Sequence, residues 1–223
     1  MCWRLCGRLM SLVVLVITGY GVCCQLECFS QDKILSQKLL CQKACKLIKP
    51  IESFFDVKSD TVGVIKVVSD SDYFLKVKAP TWSNAFFVNG VIFLPVSSVK
   101  SKTFERALKH ELTHLVIYKN FGPRIPEWLE EGLALYLEGE PNDILKNFFN
   151  DWRLSKNRLS LFQITRGISS LPKKDAVQAY AVSYYAVKLM LDQGRKTDIL
   201  RALQEGLLPS QTTEQIERAL LKF

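Results

Sequence analysis

The stretch Lys109-His110-Glu111-Leu112-Thr113-His114-Leu115 constrains this chain more than any other. Around it Phe104, Leu108, Leu112, Leu115 and Tyr118 recur as one apolar stripe, with Glu105, Arg106, Lys109 and Thr113 on a wet face, which predicts a helix from Thr103 to Lys119. His110 and His114 are the only two histidines of the chain. Four apart on a helix, they stand one turn above each other on one face and can aim at a single ion. Glu111 lies about 100° further round, among the apolar residues, where a carboxylate is costly without a partner. From there it can touch a water beside an ion without ligating the ion, which is where a general base belongs. This H-E-x-x-H spacing points to a zinc site.

A catalytic zinc takes three protein ligands and leaves its fourth position to water. With no third histidine, a carboxylate or thiolate must serve. Candidates follow at once in Pro126-Glu127-Trp128-Leu129-Glu130-Glu131-Gly132-Leu133-Ala134-Leu135-Tyr136-Leu137. Gly122 and Pro123 break the first helix, and Pro126 suits the first turn of a second. A helix, turn and helix of this length can bring a glutamate back to the histidines. Periodicity does not choose between Glu130 and Glu131, because apolar residues surround this helix on most sides.

Taken together, the two segments resemble the gluzincin metallopeptidases and, within them, the peptidase MA-like domains. There H-E-x-x-H is followed on the next helix by W-L-x-E-G-x-A-x-Y, matched here by Trp128, Leu129, Glu131, Gly132, Ala134 and Tyr136. The resemblance implies that Glu131 is the third ligand of one zinc ion and that Glu111 is the general base for hydrolysis of protein or peptide substrates. It spans Val64 to the C-terminus and is densest from Phe104 to Leu137. Two departures matter. Where the thermolysin-like branch has an aspartate four residues after the glutamate ligand to hold a histidine, this chain has Leu135, so that support must come from elsewhere. The glycine-and-glutamate motif by which aminopeptidases of this clan bind a free α-amine has no counterpart, which favours an endopeptidase.

The expected fold is α+β and zincin-like: an N-terminal α/β part over residues 25–102, then the zinc-binding helices and a helical lobe over 103–223. A first helix is predicted from Asp32 to Phe55, a buried strand over Val62–Val68, and a short helix or strand over Asp72–Lys78. Residues 85–94 read as a hairpin closed by Asn89-Gly90. Its second arm ends at Pro95, and proline tolerates an edge position, so Val91 to Leu94 is expected to border the cleft; the resemblance implies that such an edge strand pairs with the substrate backbone, a plain structural hairpin being the alternative. Further helices are expected over Asn142–Leu154, Lys174–Gln193, Thr197–Glu205 and Thr212–Leu221. The longest carries Tyr180, Tyr184 and Tyr185. Tyr180 and Tyr184 share a face, and either hydroxyl could stabilise an oxyanion.

Residues 1–24 read as a leader, with Arg4 and Arg8 before the apolar run Leu12–Ile17 and Gly19-Tyr20-Gly21 as a small-x-small cleavage site. Export is expected, with three outcomes open: a cleaved signal, an uncleaved membrane anchor, or a lipid on Cys23 or Cys24. Four of the seven cysteines lie in this leader. Cys28, Cys41 and Cys45 remain, an odd count that predicts at most one bridge and a free thiol, with Cys41 and Cys45 read as small core residues. The net charge of +8 is spread along the chain without a basic block or an aromatic platform, the pattern of a solvated face rather than a nucleic-acid surface. From another class, an inactive zinc-containing binding or assembly module of the cell envelope is the alternative. An intact Glu111 counts against it.

Overall fold

The computed structural model describes residues 25–32, 35–58, 61–77, 83–164, 167–168 and 171–223. The leader and Lys78 lie outside them. Among the described residues no helix is long and apolar enough to cross a membrane.

A strand that the sequence did not suggest, β1 (Gln25–Ser30), opens the fold, followed by α1 (Gln37–Phe54) and β2 (Val62–Val68). The Ser36 side chain caps α1 by accepting from the Leu39 N–H, so the helix starts later than its apolar pattern implied. A short α2 (Asp70–Leu75), capped by Ser69, stands where a helix or strand was left open. Then come β3 (Phe86–Val88), β4 (Val91–Pro95), a one-turn α3 (Val96–Val99) and the histidine-bearing α4 (Phe104–Phe121).

The four strands lie in the order β1-β2-β4-β3. β1, β2 and β4 run parallel and β3 returns antiparallel to β4. The expectation that Val91–Leu94 is an edge strand is therefore wrong: β4 has a partner on both sides, and among the described residues the edges are β1 and β3. Pro95 misled because it is the last residue of β4, in register with Val68, where its missing N–H leaves the interior of the ladder intact.

One face of the sheet, with Ile65, Val67, Ile92 and Leu94, is buried in the core. Fully burying each such side chain contributes about 1.5–3 kcal/mol. A Cβ added to Gly63 would sit 2.5 Å from the Leu115 side chain, so a bare backbone in β2 is what lets α4 approach this closely. The rest is helical: α5 (Glu127–Glu138), α6 (Asp143–Leu154), α7 (Leu161–Ile164), α8 (Lys173–Asp192), α9 (Lys196–Glu205) and α10 (Ser210–Leu220). Asn142 caps α6 as its oxygen accepts from the Leu145 N–H at 2.9 Å.

The cysteine reading also needs correction. Cys28 and Cys41 form a disulfide at a sequence separation of 13. Cys45 is disulfide-bonded as well. None of the three is a free thiol or plain core filler. The physical reason is β1, which carries Cys28 alongside α1.

Candidate metal centre

α4 and α5 meet at the bottom of a cleft of about 610 Å³, bordered by residues 83–87 and by Tyr180 of α8. That size lies within the usual range of ligand pockets, about 300–1,000 Å³. His110 and His114 present their rings one turn apart on α4, with centroids 4.9 Å apart. The C-cap Gly122, at φ +84°, turns the chain out of α4, and Pro126 starts α5. From α5, Glu131 Oε2 reaches 3.3 Å from His110 Nε2 and 3.6 Å from His114 Nε2. One ligand atom from each of His110, His114 and Glu131 lies within 4.8 Å of the others.

Each histidine is also held from its other ring nitrogen. His110 Nδ1 lies 3.1 Å from Glu138 Oε2, and His114 Nδ1 lies 2.8 Å from Glu130 Oε1. Arg106 grips the far side of Glu138, its Nε donating to Oε1 at 3.1 Å and its Nη2 to the Glu140 carbonyl at 3.1 Å. Leu135 takes no such part. Phe87 of β3 stacks on His114 with ring centroids 6.2 Å apart and planes 15° from parallel.

The charges are strongly coupled. Burial alone would lower the pKa of His110, but the carboxylates of Glu131 and Glu138 outweigh it and hold it at about 9. Burial opposes charge on His114 too, yet Glu131 and Glu130 raise it well above the ordinary histidine range. Glu131 is held far below the usual carboxylate range by the two histidines, against its own burial. Glu111, 8% exposed, is pushed up by burial despite both histidines and despite the Phe87 backbone N–H that donates to it.

This donor set fits a metal ion. Glu131 Oε2 is buried and makes no hydrogen bond of good geometry, an expensive state for a carboxylate oxygen. With each Nδ1–H donating to a glutamate, both Nε2 atoms face the same point as that oxygen and present lone pairs there once an ion displaces their protons. Two imidazoles and one carboxylate are the ligand types of a catalytic zinc site.

Of the residues expected from the sequence, the structure brings His110, His114, Glu111, Glu131 and Tyr180 to this cleft. Tyr184 is not among them: it is buried between Tyr136 and Tyr185, at ring-centroid distances of 6.4 and 5.2 Å. Burial and then the charges of Glu131, Glu127 and Glu111 push the Tyr180 pKa far up, so its hydroxyl stays protonated. Sequence reasoning weighed Glu130 only as a metal ligand and missed Glu138, Arg106 and Phe87. Glu138 left a signal, since it lies seven residues after Glu131 and two turns along the same helix face.

A helical scaffold that converges two histidines and a glutamate beside a buried carboxylate defines a zincin-type centre. Residues 71–223 match the family profile of the Peptidase MA superfamily, and the chain belongs to that superfamily. It is thus a peptidase-family protein in which His110, His114 and Glu131 could hold a metal ion. No curated protein matches the sequence significantly. Among solved structures, the chain is similar to the crystal structure of a mutant M1 zinc metallopeptidase from Deinococcus radiodurans, at 14% identity and a TM-score of 0.47. The match covers 81% of this chain and 41% of that one, so this chain spans less than half of that enzyme's length.

Proposed function

We propose that the protein is an exported zinc-dependent endopeptidase. The observation that carries the reading is the convergence of His110, His114 and Glu131 within 4.8 Å beside the buried carboxylate of Glu111. When bound, zinc would supply the Lewis acid that polarises the scissile carbonyl and brings the pKa of a water toward about 7. Glu111 takes the proton of the attacking water and hands it to the leaving amine. Burial serves this role, because a carboxyl raised above its ordinary pKa is the stronger base. Tyr180 keeps its proton and donates to the carbonyl oxygen as negative charge develops there. The edge of β3 away from β4, which has no strand beside it among the described residues and borders the cleft, takes the substrate backbone as an added strand. A peptidase centre that keeps its general base supports the enzyme over the binding module. Export is supported by the leader and by the cystine, which belongs in an oxidising compartment.

The test compares wild type with Glu111→Gln, measuring metal content and cleavage of a mixed peptide library. One equivalent of zinc in both, with cleavage by wild type alone, is the expected result. Turnover at the wild-type rate in Glu111→Gln sinks the mechanism, and zinc in neither protein sinks the site.

A further inference from the structure

The helix that supplies the third ligand also supplies both groups that hold the other two. Glu130, Glu131 and Glu138 all belong to α5. Glu130 reaches His114 Nδ1 and Glu138 reaches His110 Nδ1, while Glu131 faces the two Nε2 atoms. Glu138 sits where the helix ends, and an unanchored carboxylate there would be free to swing. Arg106 prevents this: from α4, one turn before His110, its guanidinium bonds Glu138 Oε1 and the Glu140 carbonyl. Glu130 has no cation of this kind within salt-bridge distance among the described residues.

We propose that Glu130 and Glu138 are the positioning residues of the centre, and that Arg106 acts on the metal through Glu138 without touching any ligand. An imidazole donating from Nδ1 to a carboxylate has its tautomer fixed, its Nε2 lone pair exposed and its ring rotation stopped. Here that task falls to a glutamate two turns after Glu131 rather than to the position of Leu135, and an arginine fork stiffens it. A planar guanidinium holds two oxygens in a fixed geometry, which lysine cannot reproduce.

This inference rests on the zinc reading, and the experiment separates the two. Zinc dissociation constants and off-rates are measured on the full chain by competition with a chromophoric chelator. Wild type is compared with Glu130→Gln, Glu138→Gln, Glu138→Ala, Arg106→Lys and Arg106→Met, with thermal melts of the metal-free proteins beside them. Glu138→Ala and Arg106→Met should weaken zinc by about 10–100-fold, chiefly through the off-rate, with Glu138→Gln and Arg106→Lys recovering only part of the loss. Glu130→Gln should weaken it through His114, additively with Glu138→Gln. Wild-type affinity and off-rate in folded Arg106→Met and Glu138→Gln overturn the proposal and leave the zinc site standing. Absence of zinc from wild type overturns both. If Glu138→Ala fails to fold, the two conservative variants decide.

Discussion

A Cβ placed on Gly132 would lie 2.3 Å from the carbonyl oxygen of Ser183. The contact is between the backbones of α5 and α8, so no side chain can move aside to relieve it. α5 is thereby set one residue after its metal-facing glutamate. Replacing Gly132 with alanine should push the helices apart, costing about 1–3 kcal/mol as overpacking. Because Glu131 is the neighbouring residue, zinc affinity should fall with stability. A thermal melt together with chelator competition checks this, and a variant unchanged in both would show that the helices can separate freely.

Tyr180 and Tyr184 are one turn apart on α8, yet only the first lines the cleft. Tyr180→Phe should lower kcat by about 10²-fold, the order seen when an oxyanion donor is lost, with KM little changed. Tyr184→Phe should leave kcat near wild type. Steady-state kinetics on one good peptide substrate reads both, and equal kcat in Tyr180→Phe and wild type removes the tyrosine from the mechanism.

Along β3 the Phe87 N–H is turned to Glu111, away from β4. Ala85 shares its phase in the two-residue repeat of a strand, so in the proposed added-strand binding its N–H would face the incoming chain. Ala85→Pro removes one N–H and should raise KM for a peptide by about 2–10-fold, matching a hydrogen bond of about 0.5–1.5 kcal/mol. Zinc content should stay the same. An unchanged KM would place substrate elsewhere.

The metal-free protein should respond to pH in two opposite ways. His110 is held at about 9 in the fold, above its unfolded value of about 6.5. Its contribution to stability is then fully present below about 6.5 and is lost as pH rises through about 9. Zinc binding has to displace the same protons, so affinity should climb across that window. Melting temperature of the apo-protein should fall, and zinc affinity rise, between about pH 6.5 and 9. A flat affinity profile there would mean that the histidines are already neutral.

Helices α4 and α5 were legible because their signals are local. Apolar spacing outlined α4 closely, and the Trp128 to Tyr136 pattern marked Glu131. Glu130 is its neighbour but points about 100° away, and only the placement of α4 gives that direction a meaning. β1 escaped notice because Gln25–Ser30 is six residues with only two apolar positions on its inward face, Leu26 and Cys28, set directly behind the leader. Missing it hid the Cys28–Cys41 bond as well, since no spacing along α1 reveals a partner on a strand. Pro95 was a true strand-end signal attached to the wrong inference about neighbours, because pairing order is a property of the whole sheet.

Carrying three carboxylates on one rod ties their fates together. A slip of α5 by a single residue is a shift of about 1.5 Å along its axis and a rotation of about 100°, which would misplace Glu130, Glu131 and Glu138 in the same instant. The link of residues 122–126 ahead of α5 can lengthen or shorten without changing the intervals among them. Evolutionary drift in this chain should accordingly collect insertions before Glu127 and reject them between Glu130 and Glu138, where one added residue dismantles the centre rather than detuning it.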